Sequence, residues 1–210
     1  MKQARVREIM EKCGAIITNS HIVYTSGKHG SAYVNKDDIY PHVAYVGELC
    51  RALGDWFVED DVDAIIAPAI GGTILAPWTA FQMSAMLSRE VLSLYAEKGP
   101  DDTFVIKCRY DLLIPKKRIL VVEDVVTTGG SVRKVVNAVR ALDGNVIGVS
   151  VICNRGGVDN AGVGNVSKLH SLIDVQMDAY EADECPLCKS GVPINTNVGK
   201  GAEFLAKLKQ

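Results

Sequence analysis

The chain has 210 residues, 48% of them hydrophobic and 23% charged, and a formal net charge of -2. That balance suits one well-packed globular domain with room for a small subdomain, and it excludes a disordered chain. It gives no basic excess of the kind nucleic-acid binders display, so no nucleic-acid partner is expected.

In chain order, MKQARVREIMEKCGAII keeps interleaving charges and so reads as helical, over EIMEKCGAI, rather than as a secretion signal. HIVYTSGKHGSAYVNKDD reads as a short ribbon and turn, and Val43 to Phe57 as a second helix. Together the first 40 or so residues are expected to form a hood beside a core of about 41–175, followed by a C-terminal element of about 176–210 in the same domain. Four apolar runs follow: AIIAP (Ala64 to Pro68), VLSLY (Val91 to Tyr95), RILVVED (Arg118 to Asp124) and VIGVSVIC (Val146 to Cys153). They are continuous rather than alternating, as strands covered on both faces require. Helix-like stretches lie between them, at Thr73 to Met86 and over SVRKVVNAVRALDG, where Val132, Val135, Val136, Val139 and Leu142 share a face and Gly144 ends it. Strand, helix, strand at this spacing predicts an α/β fold, a central parallel sheet flanked by helices. The polar, turn-rich stretch from Ala96 to Lys117, with a short strand-like TFVIKCRY inside it, is expected to be a mobile loop.

The weakly polar run from Ala64 to Phe81 approaches membrane-spanning length, but Pro68, Pro77 and the pair Gly71 and Gly72 break it, so no membrane partner is expected. Six scattered cysteines lack the density of a disulfide scaffold, which points to a reducing cytoplasm.

The chemistry concentrates in ILVVEDVVTTGGSV, Ile119 to Val132. Glu123 and Asp124 stand at the end of an apolar run, where an open parallel sheet binds ligands. A buried carboxylate without a partner costs several kcal/mol, so the pair must accept hydrogen bonds or meet a cation. Behind it, Thr127 to Ser131 offers hydroxyls, glycines that allow close backbone approach, and the unpaired amides of a helix start, which is a phosphate cradle. Acids just ahead of such a cradle suit a ligand whose hydroxyls lie close to its phosphate, as in a ribose 5-phosphate. Neither G-x-G-x-x-G nor G-x-x-x-x-G-K-[ST] is present, and a solvated turn is the bland alternative.

On this motif the sequence resembles the type I phosphoribosyltransferases, which bind phosphoribosyl diphosphate (PRPP). SGKHGSAYVNKDD, APAIGGTILA, YAEK, CNRG and CPLCKSGVPI narrow the resemblance to the orotate phosphoribosyltransferases, in a thermophile-type branch, over nearly the whole chain. The resemblance implies transfer of phosphoribose from PRPP to orotate, giving orotidine 5'-monophosphate and pyrophosphate in pyrimidine biosynthesis. It implies that Glu123 and Asp124 hold the ribose hydroxyls and that Thr128, Gly129, Gly130 and Ser131 cradle the 5-phosphate. Ala69, Ile70, Gly71 and Gly72 would line the pyrophosphate, Lys98 would neutralise it as it leaves, and Thr127 and Arg155 would meet orotate. Mg2+ would be held mainly through PRPP, with no firm protein ligand, and the family's homodimer would follow, for which Trp78 and Phe81 offer an apolar face. Thr25 stands where many members have lysine, and the K-x-H-G signature of the catalytic loop is missing, so Lys107 and Arg109 are candidates for the absent charge. A purine-base phosphoribosyltransferase and a non-catalytic PRPP sensor remain alternatives; a purine has no carboxylate for Arg155, and a sensor would want a basic DNA-binding face.

Cys185 and Cys188 form C-x-x-C, which could be half of a zinc site, but four ligands are needed and no second pair at ligand spacing exists, so zinc is the alternative reading. Cys153 and His170 would have to be brought in by the fold, so a local structural element is the expected role of the cysteines. His21, His29, His42 and His170 read as surface or satisfied histidines, with His29 the one worth testing.

Overall fold

The apolar runs do become the central strands. The computed structural model describes residues 1–207. Along the chain come α1 (Gln3–Lys12), β1 (Ile16–Ile17), β2 (Ile22–Val23), β3 (His29–Gly30), β4 (Tyr33–Val34), α2 (Val43–Asp55), β5 (Ala64–Pro68), α3 (Gly72–Leu87), β6 (Leu92–Lys98), β7 (Phe104–Val105), β8 (Arg118–Val126), α4 (Gly130–Ala141), β9 (Asn145–Asn154), β10 (Leu169–Asp174), α5 (Pro186–Lys189) and α6 (Gly201–Lys207). They divide into two compact units, residues 1–7 with 42–175, and residues 8–41 with the chain from 176 onward.

In the first unit a six-stranded sheet runs β10-β9-β8-β5-β6-β7. Every neighbouring pair from β10 to β6 is parallel, and β7 closes the edge antiparallel to β6. All five residues of β5 are buried, which is why AIIAP carries no alternation. Ile66, Leu94, Ile119, Val121, Val149 and Val151 build the core on the sheet side, and the Val132, Val135, Val136 and Val139 stripe of α4 packs into the same cluster. The spacing of three and four along α4 puts those valines on one face. The helix stops three residues short of Gly144, because Asp143 takes the left-handed turn (φ 61°) and the Gly144 amide donates to the Val139 carbonyl at 3.0 Å.

The stretch from Ala96 to Lys117, expected as a mobile loop, is instead largely structured. Glu97 and Lys98 pair with Val105 and Phe104 in an antiparallel ribbon, Phe104 and Ile114 are buried, and a 3₁₀ turn covers Tyr110–Leu113. Lys107 donates to Glu97 at 3.0 Å, and Lys134 of α4 pairs with Asp102 at the ribbon's tip. The hydrophobic content of TFVIKCRY explains the difference, since Phe104 has core to bury against.

In the second unit, two short antiparallel ribbons form, β1 with β4 and β2 with β3. The helix expected over EIMEKCGAI ends at Lys12, and Ile16 pairs with Val34 instead. The C-terminal chain joins the ribbons through bridges of His21 to Ile194 and of His29 to Tyr180. His21 and His29 are consequently buried, not surface residues.

Because Ile66 is wholly buried at the centre of the sheet, Ile66→Ala should lower unfolding free energy by about 2 to 5 kcal/mol. Exposed Leu112→Ala should stay within roughly 0.5 kcal/mol of wild type. Urea denaturation followed by circular dichroism, with the slope unchanged, measures both.

Candidate active site

The strand order locates the crevice. From β5 the chain moves to β6 on one side and then to β8 on the other, so β5 and β8 form a topological switch point. Loops leaving the carboxyl ends of two such strands diverge and leave a cleft between them. Ile66 of β5 pairs with Val121 of β8, after which β8 runs on to Val126. Thr127 to Ser131 then turns into α4, while Ala69 to Gly72 leads from β5 into α3.

The turn after β8 encloses a cleft of about 180 Å³, lined by Glu123, Thr127, Thr128, Gly129, Gly130 and Ser131 among others. Gly129 caps α4 in the left-handed conformation (φ 73°), and a Cβ there would come within 2.6 Å of the Gly162 carbonyl oxygen. Only glycine fits that close turn. The first amides of α4 and the positive end of its dipole open on the cleft, as an anion requires. The Gly130 amide donates to Thr128 Oγ1 at 3.4 Å, which leaves the threonine loosely held.

Glu123 and Asp124 lie inside β8, buried to 9% and 5% exposure. Successive residues of an extended strand project to opposite faces, and of the two acids Glu123 lines the cleft. Glu123 Oε1 accepts from the Asp124 amide at 3.1 Å, and Asp124 Oδ1 accepts from the Val125 amide at 2.6 Å. Backbone amides thus support both charges at the cleft wall.

Across the switch point, the Ala69 amide donates to the Ala96 carbonyl at 2.7 Å, and Pro68 pairs with Ala96. Lys98 ends β6 two residues further along, so the ammonium group stands on an exposed position at the rim that carries Ala69 to Gly72. Ile70 is 84% exposed there, and Thr73 Oγ1 donates back to its carbonyl at 2.6 Å. The Lys134 ammonium, and after it that of Lys98, hold the Asp102 carboxyl below the usual carboxylate range. Lys107 is committed to Glu97, so the charge expected of it is already partnered.

On the other side, Arg155 leaves β9 with its amide donating to the Val126 carbonyl at 2.8 Å, which sets it beside Thr127. The turn is tight enough that a Cβ on Gly156 would sit 1.7 Å from the Thr127 carbonyl oxygen. Cys153, two residues before Arg155, has its thiol pushed up to about 12, chiefly by burial, and is therefore inert. His170 stacks on Trp56 at 4.5 Å and 8°, away from any ligand role.

The phosphoribosyl transferase domain model matches residues 46–186, two thirds of the chain. An orotate phosphoribosyltransferase of Caldanaerobacter subterraneus subsp. tengcongensis is 40% identical over 92% of this chain and 96% of its own. Among solved structures, the orotate phosphoribosyltransferase of Aeropyrum pernix matches with a TM-score of 0.62 and 25% identity, over 80% of this chain and 93% of its own. The adenine phosphoribosyltransferase of Thermoanaerobacter pseudethanolicus matches equally in shape (TM-score 0.62) at 16% identity, covering 80% of this chain and 99% of its own, so the shape alone does not choose the acceptor base. The switch-point cleft with its buried acid, the domain match over two thirds of the chain and a 40% identical relative over nearly the whole length agree: the chain belongs to the phosphoribosyltransferase family, in its orotate phosphoribosyltransferase branch.

Proposed function

We propose that this protein transfers the 5-phosphoribosyl group of PRPP to orotate, releasing pyrophosphate and forming orotidine 5'-monophosphate for pyrimidine biosynthesis. The observation that carries the reading is the single turn, Thr127 to Ser131, that lines a cleft with Glu123 and opens a helix start on it, beside the backbone of Arg155. Thr128, Gly129, Gly130 and Ser131 take the 5-phosphate on amides and hydroxyls. Glu123, and Asp124 beside it, accept from the ribose hydroxyls. Thr127 and Arg155 face the orotate, the guanidinium on its carboxylate, a bidentate match that a neutral purine does not offer.

In the reaction the bond from the anomeric carbon to the pyrophosphate oxygen breaks and a bond to the orotate ring nitrogen forms. The sugar passes through a cationic, oxocarbenium-like state, which the buried carboxylates favour by their charge. Ala69, Ile70, Gly71 and Gly72 hold the departing pyrophosphate, and Lys98 neutralises it. A diphosphate suits Mg2+, which keeps several waters and binds largely through substrate phosphates, so such an ion would be carried mainly by PRPP, with no firm ligand from this chain. When bound, such an ion supplies positive charge to the diphosphate. The ribbon tip at residues 99–103 is the segment we assign to excluding water, since Lys98 stands at its base.

Hood, core and C-terminal element are taken as one catalytic domain. Two copies are proposed to pair through α3, which is apolar on its outer side as well: Phe81 is 66% exposed and, with Pro77 and Trp78, lines a depression of about 290 Å³. Six free thiols favour a cytoplasmic setting. Among the described residues no helix is long and apolar enough to cross a membrane.

Purified protein with PRPP and Mg2+ should consume orotate absorbance and leave adenine, guanine, hypoxanthine, xanthine and uracil unchanged; turnover of a purine in place of orotate would overturn the assignment. Glu123→Gln should lower kcat/KM by about ten- to a hundredfold, more than Asp124→Asn does, because Glu123 lines the cleft. Arg155→Ala should raise the KM for orotate by about tenfold or more while PRPP binding by calorimetry stays near wild type. In sedimentation, Phe81→Glu should shift the protein from two chains to one.

A further inference from the structure

The second unit holds a cluster that the transfer reaction does not use. His21 and His29 of the β2–β3 ribbon meet Cys185 and Cys188 of the α5 turn, with one ligand atom from each lying within 4.8 Å of all the others. His21 Nε2 is 2.9 Å from His29 Nδ1, 3.7 Å from Cys185 Sγ and 3.5 Å from Cys188 Sγ, and His29 Nδ1 is 3.3 Å from Cys188 Sγ. Tetrahedral zinc, with bonds of about 2.0 to 2.1 Å to nitrogen and 2.3 Å to sulfur, needs ligand atoms roughly 3.3 to 3.8 Å apart. Three of these four separations already match that spacing, the two histidine nitrogens must part by a few tenths of an ångström, and all four atoms lie within 4.8 Å of one another.

Three further features suit a ligand set. His21 Nδ1 lies 2.7 Å from the Val192 carbonyl oxygen, which only a protonated Nδ1 can use; Nε2 is thereby left with its lone pair toward the cysteines. Pro186 and Leu187 separate the cysteines in a single turn whose Lys189 amide donates to the Cys185 carbonyl at 3.1 Å, so both sulfurs are delivered from one rigid knuckle. His21, His29 and Cys185 are almost fully buried, at 2%, 0% and 0% exposure, so water cannot satisfy their polar atoms. Without a cation, two imidazoles and two thiols crowd one dry pocket.

We propose that His21, His29, Cys185 and Cys188 form a closed, structural zinc site. Two nitrogens and two sulfurs in a tetrahedron are the ligand set zinc selects, and four protein ligands leave no open position for catalysis. Its role follows from the connectivity. The ligands come from segments 164 residues apart, and this unit's ribbons are only two residues long per strand, too short to persist by pairing alone. The metal staples the C-terminal chain to the β2–β3 ribbon, and its binding energy is folding energy for this unit.

Tag-free, full-length protein grown with zinc should contain about one zinc per chain by plasma mass spectrometry. Cys188→Ser and His21→Ala should each lower that content about tenfold or more, while Cys108→Ser, an exposed cysteine outside the cluster, should keep it. Cobalt exchanged into the wild type should give the intense visible bands of a tetrahedral ion with thiolate charge transfer, a reading that does not depend on any variant folding. Removing zinc with a chelator should speed tryptic cleavage after Lys189 and Lys200 and leave cleavage within 42–175 unchanged. Wild-type protein free of zinc, zinc retained by both ligand variants, or a pale octahedral cobalt spectrum would overturn the site.

Discussion

The parallel pairing of β5 with β8 is the contact on which the first unit's chemistry depends. It joins two strands that are not consecutive in the chain, Ala64 to Ile119 and Ile66 to Val121, and so puts a change of direction in the middle of the sheet. Both strands are buried on both faces, which makes their registry expensive to change: a slip by one residue would carry the whole apolar set out of place. Once that pairing is fixed, the turn after β8 and the turn after β5 must open on one crevice. Each group proposed to act there has its position decided by the strand that ends beneath it, Lys98 by β6, Arg155 by β9.

That rigidity answers a difficulty peculiar to this reaction. The substrate brings a phosphate and a diphosphate, and the wall already carries Glu123 and Asp124, so like charges face each other across a small cleft. Backbone dipoles resolve it. In the proposed site the α4 amides meet the phosphate, while the Asp124 and Val125 amides already meet the carboxylates, and none of these donors has to be desolvated or moved at the moment of transfer. A site built from strand ends and helix starts holds its groups more closely than one built on loops.

The second unit is organised by a different principle. It has few residues in regular structure, so beyond a small buried set that includes Ile9, Met10, Ile22 and Val23 its order draws on links between distant segments. The bridges of His21 to Ile194 and His29 to Tyr180 are such links, and the same two histidines turn their rings toward the cysteine knuckle. Backbone pairing and side-chain convergence therefore reinforce one another at the same residues. A fold of this size divides its stabilisation accordingly, between packing in one unit and point contacts in the other.

The strands of the core were legible as soon as their apolar runs were, because a strand covered on both faces needs no partner information to be recognised, and α4 was legible because its valines repeat at helical spacing. That the acids, threonines and glycines of the motif would line one cleft was legible because they are neighbours in the chain, and the phosphate site proposed there rests on their local chemistry. The strand-like character of TFVIKCRY was legible in its apolar residues, but its pairing with Glu97 and Lys98 was not, because the burial of Phe104 depends on core residues it meets only in the fold. The surface reading of His21 and His29 failed for the same reason, and so did the assumption that Cys185 and Cys188 lacked companions: an H-x7-H spacing in a ribbon is no recognisable motif until a chain end 164 residues away is laid against it. Contiguity thus made the residues from Ile119 to Val132 and the apolar periodicities readable along the chain, since both reflect forces between chain neighbours. Which of two adjacent acids lines the cleft, which strand end carries Lys98 and which histidines meet which cysteines are settled in the fold, by the packing of faces that lie far apart along the chain.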